Sequence, residues 1–141
     1  MKHWISTSLL CLLLANTTYA DSDETKARQK IFTSIEEQSE LLEDMVDDKK
    51  WQEASPLAEE LANKVSKLNG LFPESSKDEG RARDGIWEEW PEFSKRLEHF
   101  ERDFRAVSTS ISAGDYEKAE DKLDDATSSC RSCHMSFRAL W

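Results

Sequence analysis

"AEDKLDDATSSCRSCHMSF", residues 119–137, decides the fold. Ala119, Leu123, Ala126, Cys130, Cys133 and Phe137 recur at intervals of 4, 3, 4, 3 and 4 residues. That mean spacing of 3.5 is the seam of a helix packed lengthwise against other helices. Asp115 stands where a helix cap belongs, after Ala113-Gly114. The acidic Glu117, Glu120, Asp121 and Asp124 crowd the start of the segment, and Arg131 and Arg138 lie toward its end, which suits the helix dipole.

Outward from this stretch the same rhythm repeats. Upstream, Phe93, Leu97, Phe100, Phe104, Val107 and Ile111 form a seam that starts near Pro91. Further back, Leu57, Leu61, Val65 and Leu68 follow Ser55-Pro56, a cap and an N1 proline, and end at Asn69-Gly70, where glycine can supply a left-handed cap. Phe32, Ile35, Ser39, Leu42 and Val46 form the earliest seam. Residues from Leu71 to about Trp90, with Pro73, Gly80 and Gly85, read as a loop, and no run alternates as a strand would. The expected fold is all-α, an antiparallel up-down-up-down four-helix bundle.

Residues 1–20 are read as a secretory signal peptide: Lys2, an apolar run from Trp4 to Leu14, and Thr18-Tyr19-Ala20 before a cleavage point. The run is too short to span a membrane, and Leu10 before Cys11 does not suit a lipid-modified cysteine. The remaining domain, 21–141, has 18 basic and 29 acidic residues, a balance of −11. Such a charge argues against nucleic acid and against anionic membrane surfaces. It favours a partner with a basic face. With Cys11 gone, Cys130 and Cys133 are the remaining cysteines, in an exported and therefore oxidising setting.

Cys130-Arg131-Ser132-Cys133-His134 admits a redox pair, half a zinc site, or a haem attachment point. A redox pair is expected to open a helix that follows a strand; this pair lies near the end of a helix. Structural zinc requires four ligands. The other histidine of the domain, His99, stands about 100° around its helix from Phe100, at the edge of or outside the seam. Covalent haem fits all the constraints: in C-x-x-C-H each thiol adds to a vinyl group and the adjoining imidazole is an axial iron ligand.

With these residues the chain resembles the cytochrome c prime family, the class II c-type cytochromes. "CRSCH" followed by "MSFR" is the specific part. "ARQKIF" in the first helix, the "LFPESS" loop, "GIWEEWPEF" before the third helix, and "AGD" before the last extend the similarity over essentially the whole domain. The resemblance implies one haem c joined through Cys130 and Cys133, with His134 as the iron ligand, Arg138 beside that imidazole, and Arg28, Phe32 and Trp87 in the haem site. A haem propionate is the partner it suggests for Arg28, a surface carboxylate being the alternative. It also places residue 32 on the distal side, where low-spin, electron-carrying members have methionine. Phenylalanine has no lone pair to donate, and Met45 is about 20 Å along the helix and about 140° round from it. Met135 lies on the wrong face, and His99 would require the third helix to rotate.

The implied protein is a periplasmic cytochrome with five-coordinate, high-spin iron that binds NO and CO, in scavenging or carriage. Electron transfer to a periplasmic partner is the alternative. Nothing in the sequence forms a catalytic constellation, so an enzyme is not expected. Leu41 and Met45, off the first seam, are candidates for a homodimer contact.

Overall fold

The Ser22 side chain accepts a hydrogen bond from the Thr25 amide at 3.2 Å and so caps the first helix, α1, Asp23–Asp47. The computed structural model describes residues 20–139; the signal-peptide reading of 1–20 falls almost wholly outside them. After α1 come α2 (Trp51–Leu68), a 3-10 turn (Glu74–Ser76), the short α3 (Gly85–Glu88), α4 (Trp90–Ser112) and α5 (Tyr116–Phe137). The long helices α1, α2, α4 and α5 form the antiparallel bundle, and no strand occurs among the described residues.

Helix α2 packs along α1 on one side and α4 on the other, and α4 packs along α5. The ring closes weakly, because α1 and α5 touch at few points. The shared core holds Leu42, Leu61, Val65, Leu68, Phe104 and Val107, all essentially inaccessible to water. Burying each such side chain contributes roughly 1.5–3 kcal/mol. Between α2 and α4, Arg105 pairs with Glu59 as well as with Glu101 of its own helix. Between α1 and α2, the Lys64 ammonium donates to Ser34 Oγ at 2.8 Å and Gln38 Oε1 at 2.6 Å.

Three boundaries differ from the sequence reading. Helix α2 begins at Trp51, four residues before Ser55, and Pro56 lies inside it. The indole of Trp51 stacks on Tyr116 with centroids 4.4 Å apart and planes 9° from parallel, which anchors an extra turn. Ser55 does not cap; its hydroxyl bonds to Ser108 Oγ at 3.1 Å across to α4. Gly70 does not take a left-handed conformation either, since among the described residues positive φ occurs at Lys49, Gly80 and Gly114. After α2 the chain turns tightly through a hydrogen bond from the Leu71 amide to the Leu68 carbonyl. Residues 71–90, read as a loop, contain the 3-10 turn and α3. Asp115 caps α5 as expected, accepting from the Lys118 amide.

The loop is tied to the start of α1 by Glu79. Its Oε2 accepts from Ser22 Oγ at 2.6 Å, Thr25 Oγ1 at 2.7 Å and the Ser22 amide at 2.8 Å. These donors favour the carboxylate and draw its pKa from 4.5 down to about 2. A folded-state pKa below the unfolded value means that the stabilisation is complete above about 4.5 and disappears as pH falls toward 2. Glu79→Gln is therefore expected to unfold more readily than the parent at neutral pH, with the gap closing between pH 5 and pH 2. Denaturant midpoints measured across about pH 2–7 test this; a gap that does not change with pH refutes it.

Candidate functional site

The seam of α5 changes character halfway along. Ala119, Leu123 and Ala126 are buried, whereas Cys130 and Cys133 are only half-buried and His134 is exposed. The two cysteines keep to the seam but are only partly covered, Cys130 packing against the core. Phe137 returns to the core, edge-on to Phe93 at 5.1 Å.

The two thiols face different neighbours. Burial raises the Cys130 pKa, with further contributions from Cys133 and from Glu36 and Glu43 on α1. Burial also raises that of Cys133, opposed by the Arg96 guanidinium of α4. Both groups are therefore held as thiols. A redox-active pair requires the opposite, a thiolate stabilised by its surroundings. Among the described residues no three His, Cys, Asp or Glu side chains converge into a metal cage.

His134 completes the turn. Partial desolvation of the ring lowers its pKa and Arg138 lowers it further, against an opposing pull from Glu36, which favours the neutral imidazole with its lone pair. The Arg138 guanidinium lies 3.5 Å from His134 Nδ1, one turn along the helix. Glu36 on α1 acts electrostatically on both Cys130 and His134. Phe32 is one turn before Glu36 and shares its face of the helix. Phe32 is half-buried and packs against the core together with Ile31 and Cys130. The donor set, the neutral protonation states and the weak α1–α5 contact all fit a haem held between these helices.

Arg28 and Trp87 belong to a neighbouring cluster. Arg28 is 3 % exposed, and its guanidinium donates to Ser76 Oγ (2.7 Å) and to the carbonyls of Leu71, Glu79 and Ser76 (3.1, 3.2 and 3.3 Å). Its partners here are the loop backbone and a serine, with the Glu79 and Asp21 carboxylates acting on the cation through space. The cation also sits over Phe72, 4.8 Å from the ring centroid, and near Trp87 at 5.8 Å. Trp87 Nε1 donates to the carbonyls of Phe72 and Pro73. This loop cluster holds the start of α1, and so the approach to Phe32, in place.

His99 is exposed, Met45 packs against the core, and Met135 is 69 % exposed at the surface. Sequence reasoning missed the Glu79 tie and a strap formed by residues 81–83. The Arg83 amide donates to the Phe137 carbonyl at 3.0 Å, and the Ala139 amide to that of Arg81 at 2.8 Å. Neither could be found from local spacing, because each joins residues more than fifty positions apart.

Comparison with known proteins agrees with this geometry. Residues 23–138 match the family described as Cytochrome C'. A curated cytochrome c' of Alcaligenes xylosoxydans xylosoxydans is 30% identical over 59 residues, 42% of this chain and 46% of that protein, so the match spans under half of that relative. Among solved structures, recombinant native cytochrome c prime from Alcaligenes xylosoxidans superposes with a TM-score of 0.76 at 22% identity, covering 86% of this chain and 98% of that one. A ferrous variant of it with bound NO gives 0.76 at 21% identity, covering 87% and 99%. A carbon monoxide-bound variant gives 0.75 at 22% identity, covering 83% and 94%.

Proposed function

Because the chain belongs to the cytochrome c′ family, we propose that it is a periplasmic protein carrying one haem c, joined through Cys130 and Cys133 with His134 as iron ligand, that binds NO and CO on the side covered by Phe32. When bound, haem supplies a coordination position for a diatomic ligand and a reversible one-electron couple. The observation that carries the reading is the facing of the Cys130–His134 turn toward Glu36, one turn beyond Phe32, between two helices, α1 and α5, that touch at few points.

The residues then divide the work. Cys130 and Cys133 fix the group on one turn, and the neutral His134 offers its lone pair. Phe32, half-buried on α1, would present to the group a side chain without a donor atom and would have to yield to an incoming ligand. Arg28, one turn before it, has both terminal guanidinium nitrogens committed as donors to the loop. Dioxygen gains from such a donor, whereas NO and CO depend on one less; the pocket therefore selects NO and CO. Export is supported by residues 1–20, and no helix of the described residues is long and apolar enough to cross a membrane.

Absorption spectra of the purified holoprotein test the reading, recorded oxidised, reduced, and reduced with NO or CO. The expected result is a five-coordinate, high-spin haem that responds to both gases and survives denaturing electrophoresis. A six-coordinate, low-spin spectrum, or no response to NO, overturns it. One observation favours the second reading, electron transfer: the basic surface around Met135.

A further inference from the structure

Charge is distributed unevenly over this acidic chain. The first half of α5 exposes Glu117, Glu120, Asp121, Asp124 and Asp125. Its other end gathers four of the chain's eight arginines: Arg81, Arg83, Arg131 and Arg138. The strap pins Arg81 and Arg83 against residues 137 and 139, and Arg83 Nη1 donates to the Met135 carbonyl at 2.9 Å. Arg131 precedes Met135 by one turn, and Arg138 lies beside His134. Arg81, Arg83 and Arg131 are exposed, and Met135 among them is 69 % exposed. An apolar centre within a charged rim is the composition of an electrostatically guided docking surface.

We propose that Arg83, Arg131 and Arg138, set around Met135, dock an acidic protein that exchanges electrons with the haem; this deepens the electron-transfer reading and rests on the haem assignment. One electron passes from the reduced centre of that partner to ferric iron, with no bond formed or broken and no proton moved. The overall charge of −10 by itself favours a basic partner. Distance decides otherwise. Asp125 to Glu117 lie about 15 to 27 Å back along the helix from Met135, whereas charges are screened over about 8 Å at physiological ionic strength. A partner in contact with Met135 therefore meets the arginines.

The test is binding of the wild-type holoprotein to a poly-L-glutamate surface, followed by surface plasmon resonance. Retention is expected at about 0.15 M ionic strength, where screening leaves the far carboxylates unfelt, and loss at about 1 M, where it shortens to about 3 Å. Arg131→Glu should weaken binding by at least about fivefold, while Arg131→Lys keeps it. Glu120→Lys, at the far end of α5, should leave it unchanged. No wild-type retention, equal binding by Arg131→Glu, or strengthening by Glu120→Lys overturns the proposal. The chip reads mass and not colour. A colourless protein that binds thus fails the haem reading alone, and a coloured one that does not bind fails the docking surface alone.

Discussion

Phe32→Met is expected to convert the holoprotein from a high-spin to a six-coordinate, low-spin spectrum. The substitution places a thioether, which has a lone pair, where a benzyl ring has none, on the helix face that Glu36 extends toward Cys130 and His134. Methionine matches phenylalanine in length and bends through three torsions, so it reaches without moving α1. The new ligand competes with NO. Apparent NO affinity should fall by about tenfold or more, in proportion to the five-coordinate fraction left. Phe32→Leu provides the contrast, remaining high-spin and admitting NO faster. An unchanged spectrum in Phe32→Met removes residue 32 from the distal position.

Arg28→Leu carries the largest expected cost in stability. The guanidinium is buried, and burial lowers its pKa while Glu79 and Asp21 raise it, so it persists as a cation in a nearly closed cage. Leucine fills some of the volume but leaves the carbonyls of Leu71, Ser76 and Glu79 and the hydroxyl of Ser76 without their donor. Stranding that many buried acceptors costs about 3 kcal/mol. For a domain of this size the loss lowers the melting temperature by about 10 °C. Calorimetry of parent and variant checks it. Arg28→Lys should recover only part of the loss, because an ammonium cannot span the same acceptors. A variant that melts with the parent shows that the loop does not depend on this residue.

The bundle was legible in the sequence because its signal is local and repeated. Each seam of alternating 3 and 4 steps became a helix, and the Asp115 cap lies where its residue type implies. The start of α2 was misread for the same reason. Ser55-Pro56 is a good local opening, but a ring contact with Tyr116, over sixty residues away, outweighs it and carries the helix back to Trp51. The Cys130–His134 turn was legible as a motif, since its residues are contiguous. What Arg28 does was not: a lone arginine on a seam implies only that something polar awaits it. The identity of that partner depends on the path of residues 71–79, which no local periodicity encodes. The arginine rim was hidden likewise, because Arg83 joins Arg131 and Arg138 only through the strap.

The Trp51–Tyr116 stack has a bearing on assembly. It staples the α1–α2 turn to the α4–α5 turn, at the opposite end of α5 from Cys130 and Cys133. Polypeptide alone completes that extremity, and the aliphatic layers above it need nothing from outside. The polypeptide can thus hold itself together from that extremity like a clothes-peg at its spring.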